Sequence, residues 1–144
     1  MHQLLRWKTR YVSPTITEGF KRGKMDQLPK KTEKPWGYEL LFAHTEKYAG
    51  KVIFVQKDHR ISLQYHKKKD ETMYVYHGKL SVEIEKDGKM VKSEVSAGGC
   101  IPVAPLTKHR ITALEDAFIF EVSTPELEDV VRLADDYGRA SKEG

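Results

Sequence analysis

Cysteine is almost missing from this chain: Cys100 is the only one. That excludes an intrachain disulfide framework and a cysteine-rich zinc site. Cys100 lies in Gly98-Gly-Cys-Ile-Pro102 and is expected to be a small buried filler. No apolar run approaches the ~20 residues needed to cross a bilayer, so no membrane partner is expected. The opening Met1-His-Gln-Leu-Leu-Arg-Trp-Lys8 has only a two-residue apolar stretch. It does not read as a secretory leader, and the expected compartment is the cytoplasm. The chain carries no basic platform interleaved with aromatics and no internal repeat, and a nucleic-acid partner is not expected.

What is there suits one globular domain. The 144 residues are 39% hydrophobic and 32% charged, with a net charge of +4. That charge is uneven. Residues 1–34 hold nine Lys/Arg against three Asp/Glu, a net of +6, and the remainder holds sixteen against eighteen, a net of −2. The basic character belongs to an N-terminal arm, residues 1–33, with a polar linker from Met25 through Lys34. A polar arm does not order alone, because fixing backbone costs ~1–2 kcal/mol per residue. It is therefore expected to pack on the body, residues 34–144, or on a second subunit.

From Trp36 onward the pattern is β. Tyr38–Phe42, Lys51–Val55, Ile61–His66, Thr72–Tyr76, Arg110–Ala113 and Ala117–Ser123 are short runs rich in strand formers. Leu80–Lys86 and Lys89–Val95 flank Asp87-Gly88, the strongest short-range hairpin signal, since both turn residues accept positive φ. Eight or nine short strands with frequent turns predict an all-β jelly roll. Only the tail, Glu126 to Ala134, reads as helical, beginning after Pro125.

Four residues of metal-ligand type stand out. Gln64 and His66 are two apart on a predicted strand and so share a face. Glu71 opens the next strand and His109 a later one. If those strands are neighbours, two imidazoles, a carboxylate and an amide oxygen converge. That set suits one divalent ion of Zn, Mn, Fe, Ni or Co and leaves open positions on an octahedral ion.

The spacing resembles that of the cupins. Asp58, Gln64, His66, Glu71 and Gly78 follow the first cupin motif, G-x5-H-x-H-x(3,4)-E-x6-G. Gly98, Ala104, Leu106, His109 and Ala113 follow the second, G-x5-P-x-G-x2-H-x3-N. Leu106 stands where that motif has glycine, which predicts a differently shaped loop beside His109. Lys34-Pro-Trp-Gly-Tyr-Glu39, Ser62–His66, Lys108–Arg110, Glu128–Arg132 and Asp136–Arg139 resemble, more narrowly, the cupin domain of type II mannose-6-phosphate isomerases, over residues 34–139. Gln64 stands where that group commonly has glutamine.

The resemblance implies a cupin jelly-roll β-barrel with an extended N-terminal arm and a short C-terminal helical segment. It implies a metal held by Gln64, His66, Glu71 and His109, and aldose–ketose isomerisation of a phosphorylated sugar. A homodimer is expected. Arg110 is the leading phosphate ligand, because its planar fork matches phosphate oxygens; Lys67 and Arg139 are further substrate-binding candidates. The run Lys67-Lys-Lys-Asp70 reads as a solvated loop or as an attractor of anions. The sequence names no catalytic base. Two other functions stay open: a metal-dependent dioxygenase on the same scaffold, and a non-catalytic sugar-binding or regulatory module.

Overall fold

The computed structural model describes residues 28–140. These form eleven strands: β1 Lys30–Lys34, β2 Gly37–His44, β3 Ala49–Val55, β4 Leu63–Tyr65, β5 Glu71–His77, β6 Lys79–Lys86, β7 Lys89–Ser96, β8 Cys100–Val103, β9 His109–Ala113, β10 Ala117–Ser123 and β11 Val131–Ala134. A six-stranded sheet in the order β1-β2-β3-β10-β5-β8 faces a five-stranded sheet in the order β11-β4-β9-β6-β7. The pairings given are antiparallel throughout.

Inward positions are set by the period of two. On β10, Ala117, Ile119, Glu121 and Ser123 are buried, while Phe120 and Val122 are exposed. On β5, Glu71, Met73 and Val75 are buried between more exposed neighbours. Register places Ile119 beside Ile53 and Val75, then Glu121 beside Lys51 and Met73, then Ser123 beside Glu71. The inner rows thus change from apolar to polar along the strands. The apolar end joins Val82 and Ile111 of the facing sheet in one core. Each such fully buried aliphatic contributes about 1.5–3 kcal/mol. The polar end is left as a cavity.

The turns explain several letters of the sequence. Asp87 (φ 50°) and Gly88 (φ 76°) close the β6–β7 hairpin in register Lys86↔Lys89. Gly78 has φ 89°, and a Cβ there would run into the backbone of Asp116. Leu106 corrects an expectation. It adopts φ 64°, the left-handed conformation that the motif's glycine would supply, and its N–H donates to the His66 carbonyl at 2.7 Å. The side chain is 65% exposed, so the left-handed turn carries it into solvent. The cost is the left-handed penalty of ~1–2 kcal/mol, partly offset by the lower entropy of a non-glycine residue in the unfolded chain. Leu106→Gly is therefore expected to raise stability by about 0.5–1 kcal/mol. A denaturant midpoint unchanged or lowered would show that the turn is unstrained.

Three other expectations are corrected. The tail is not helical: Val131–Ala134 is strand β11, paired with β4 through Val131↔Tyr65 and Arg132↔Gln64. Its β-branched Val130-Val131 pair suits an extended chain, and β4 offers an edge to join. Cys100 is exposed on β8, between inward Ile101 and the turn at Gly98-Gly99. Lys30–Lys34, read as linker, is strand β1, held on β2 in register Thr32↔Glu39. The expected packing of residues 1–27 lies outside the described residues.

Candidate metal centre

Three buried side chains meet at the polar end. His66 Nε2 and His109 Nε2 each lie 3.3 Å from Glu71 Oε1, and one ligand atom from each residue falls within 4.8 Å of the others. His66 follows β4, Glu71 begins β5 on the opposite sheet, and His109 begins β9. The short β4–β5 connection carries the chain across the barrel, so that a gap of four residues becomes a contact.

The tautomers follow from the partners. His66 Nδ1 donates to the Asp129 carbonyl at 2.6 Å, and His109 Nδ1 donates to the Thr107 carbonyl at 2.9 Å. A carbonyl only accepts, so each imidazole keeps its lone pair on Nε2 when neutral. Two such lone pairs and a carboxylate oxygen then face one another without a hydrogen between them. His109 Nε2 is buried and has no hydrogen-bond partner among the described residues. Such an arrangement asks for a cation, and the donor set of two imidazoles and a carboxylate suits a first-row divalent metal.

Gln64 is brought to the same wall. It pairs directly with His109 across β4–β9 and lines the cavity. Ser62 Oγ, 1% exposed, donates to Gln64 Oε1 at 2.7 Å, which orients the amide and leaves its oxygen a second lone pair.

Asp129 positions this group twice. Its carbonyl fixes His66, and its carboxylate accepts three successive amides, from Lys67 N at 3.0 Å, Lys68 N at 2.6 Å and Lys69 N at 2.9 Å. Burial opposes its ionisation, but those three bonds prevail and hold its carboxyl below the usual range.

Two residues of the site escape a sequence reading. Lys69 is 5% exposed and Glu121 6%. Lys69 Nζ reaches Glu71 Oε2 at 2.7 Å and Glu121 Oε2 at 3.4 Å. Burial alone would lower Lys69, but the charges of Glu121 and Glu71 overcome it and hold the ammonium above its ordinary value. Burial works against Glu71 too, yet the His109 and His66 rings at 3.3 Å and the Lys69 charge keep its carboxyl far below the usual range. Glu121, buried beside the Glu71 charge, is pushed up to about 8. The one signal in the sequence was the inward row of β10, where a glutamate follows Ala117 and Ile119.

The cavity above these residues has a volume of about 530 Å³. Lys30, Lys34, Lys51, Lys69, Arg132 and Arg139 line it, against Glu39, Glu71, Glu121 and Glu128. Arg110 is not on this wall. It neighbours His109 on β9 but faces the other way, donating from Nε to the Ile61 carbonyl at 3.1 Å and from Nη2 to the Ala134 carbonyl at 3.0 Å. It ties the β3–β4 loop to β11 and leaves the expected phosphate role without support. Lys67 is exposed outside the cavity lining, its backbone held by Asp129. Arg139 does reach the cavity, with its guanidinium braced by Asp135 at 2.8 and 3.1 Å.

Two antiparallel sheets closed around a core, with a His-x4-Glu pair from one motif meeting a histidine from a second at the open end, define a cupin. The family model "Mannose-6-phosphate isomerase C-terminal" matches residues 21–135, and the chain belongs to that family. Solved structures agree on the fold. KdgF from Halomonas sp. is 23% identical, with 67% of this chain and 86% of that one covered and a TM-score of 0.60. Oxalate decarboxylase from Bacillus subtilis at pH 4.6 is 19% identical, with 74% and 30% covered and a TM-score of 0.65. A further structure of that decarboxylase, described through its Mn(II) centres, is 19% identical, with 72% and 30% covered and a TM-score of 0.63. This chain thus spans under a third of the decarboxylase. Comparison with curated proteins gives no match. No helix among the described residues is long and apolar enough to cross a membrane.

Proposed function

We propose that this chain is a metal-dependent isomerase acting on a phosphorylated sugar, with His66, Glu71, His109 and Gln64 as the metal ligands. The observation that carries the reading is the convergence of two Nε2 lone pairs on Glu71 Oε1 at the base of a cavity lined by more cations than carboxylates. Manganese centres in the related decarboxylase fold support a first-row divalent ion, Zn, Mn, Fe, Ni or Co. Bound there, the ion would supply Lewis-acid stabilisation of the oxyanion that forms when a sugar carbonyl enolises.

The chain's own residues do the rest. Asp129 and Thr107 hold the imidazoles in one tautomer, and Ser62 holds the Gln64 amide. Lys69 neutralises the outer oxygen of Glu71. Aldose–ketose interconversion moves a proton between C1 and C2, which needs a base beside the carbonyl. Lys69 and Glu121 are the proton-carrying groups that line the cavity next to Glu71. Ile53, Ile61 and Ile111 add apolar surface to the cavity lining.

A homodimer in the cytoplasm completes the reading. The outer face of the six-stranded sheet supports the dimer, with Tyr74, Tyr76, Phe120 and Val122 exposed together. The test of the activity is NMR of aldose phosphates with protein of measured metal content. Mannose 6-phosphate is expected to convert to fructose 6-phosphate, and a chelator to stop the conversion. No turnover of any aldose phosphate by metal-loaded protein rejects the isomerase. Metal-independent binding without turnover identifies a sugar-binding module instead.

A further inference from the structure

We infer that the inward lysines of β1, Lys30 and Lys34, together with Lys51 and Arg139, form a subsite for a phosphate monoester at the mouth of the cavity. The inference rests on the sugar-phosphate reading above and states where the phosphate goes.

Alternation along β1 sends Lys31 and Glu33 outward, where they pair with each other at 2.7 Å. Lys30, Thr32 and Lys34 face inward, and all three line the cavity. Register extends this face across the sheet. Lys30 sits opposite Leu41, Leu41 opposite Lys51, and Lys51 opposite Glu121. One inner row therefore runs from Glu121, in contact with Lys69, out to Lys30 at the sheet edge. Neighbouring strands are ~4.8 Å apart, so the mouth cations begin one strand from Glu121 and end three strands away, ~14 Å. The middle of that interval is on the order of the length of a hexose phosphate whose carbonyl end lies beside Glu121.

The charge also fits. Glu39 takes Lys51 at 3.1 Å and Lys34 at 3.8 Å, so one carboxylate is shared by two ammonium groups. Asp135 braces Arg139. Four cations against these two carboxylates leave a surplus of two positive charges. Arg132 and Glu128 also line the cavity and add one charge of each sign. A surplus of two matches a phosphate monoester, which carries close to −2 at neutral pH, better than a carboxylate at −1. Thr32 adds a hydroxyl donor. Lysine binds phosphate as a point charge and Arg139 as a fork.

The test is calorimetric titration of metal-loaded protein with mannose 6-phosphate, mannose and glucuronate. The variants are Lys30→Met/Lys51→Met and, as the outward control, Lys31→Met. In the wild type, mannose 6-phosphate is expected to bind at least about 10-fold tighter than mannose or glucuronate. The double variant should lose that advantage while its affinity for mannose and its metal content stay constant, and Lys31→Met should match the wild type. Equal affinity of the double variant and the wild type for mannose 6-phosphate overturns the subsite and leaves the isomerase reading standing. Tighter binding of glucuronate overturns the assignment to phosphate. Failure of metal-loaded wild type to bind mannose 6-phosphate at all removes both.

Discussion

His109→Ala is expected to reduce divalent-metal affinity by about 100-fold or more, above the ~10–100-fold typical for loss of an outer-shell partner. Purified wild-type protein should carry about one ion per chain, and the variant less than a tenth of that after dialysis. The effect is large because His109 is fully buried and its Nε2 has no hydrogen-bond partner among the described residues. Nothing nearby substitutes for it: Gln64 already shares its oxygen with Ser62, and Lys69 offers only donors. The residue left behind is small, and the β9 backbone it sits on is paired on both sides, with β4 and β6. The barrel should therefore survive, and metal loss can be read without unfolding. His59→Ala provides the control, since among the described residues that ring bonds only the Lys57 carbonyl. Elemental analysis giving equal metal in His109→Ala and wild type would remove His109 from the ligand set and with it the assignment of the centre.

The approach of His66, Glu71 and His109 to one another was legible in their spacing. The x-spacing of Gln64, His66, Glu71 and His109 and the Asp87-Gly88 turn point to the barrel and its open end. What was not legible depends on tertiary context. Lys69 stands in a run of three lysines, which composition reads as solvated. Only the Asp129 clamp, drawing the loop inward from 60 residues away, buries the third while the first two stay exposed. Arg110 sits beside a ligand in sequence, but strand alternation turns adjacent residues to opposite faces. The same rule that joins Gln64 to His66 should have separated Arg110 from His109. Strand β1 reads Lys-Lys-Thr-Glu-Lys, a composition with little β preference, and exists because β2 offers an edge. Leu106 hides its turn because leucine gives no sign of a left-handed backbone. In each case a local signal was overridden by a partner distant in sequence.

The second large effect concerns Lys69. Lys69→Met keeps the volume of the side chain and removes its charge from 2.7 Å of Glu71 Oε2 and 3.4 Å of Glu121 Oε2. Removing one partner from a buried charge cluster costs about 3–5 kcal/mol, because the remaining charge is uncompensated. For a domain of this size that is a fall in melting temperature of roughly 10–20 °C. A bound divalent ion neutralises Glu71 from the other side, so the loss should be greatest in chelator. The pH dependence has a definite sign. In metal-free protein Glu121 is raised to about 8 by burial and by the Glu71 charge. Its protonated form is favoured by folding, so its contribution is complete below the ordinary carboxylate value and is lost as pH rises through about 8. Without Lys69, Lys51 opposite on β3 still favours the charged form of Glu121 but with less help, so the variant's loss of stability should continue to higher pH than in wild type, above about pH 8. Adding Glu121→Gln to the variant removes one of the two facing carboxylates and should recover much of the loss, a coupling that a double-mutant cycle measures directly. Melting curves in chelator at pH 8 that coincide for wild type and Lys69→Met would show that the ammonium does not compensate these carboxylates. Coupling near zero in the cycle would place the cost of the substitution in packing, and Lys69 would then lose its part in setting the charge of the centre.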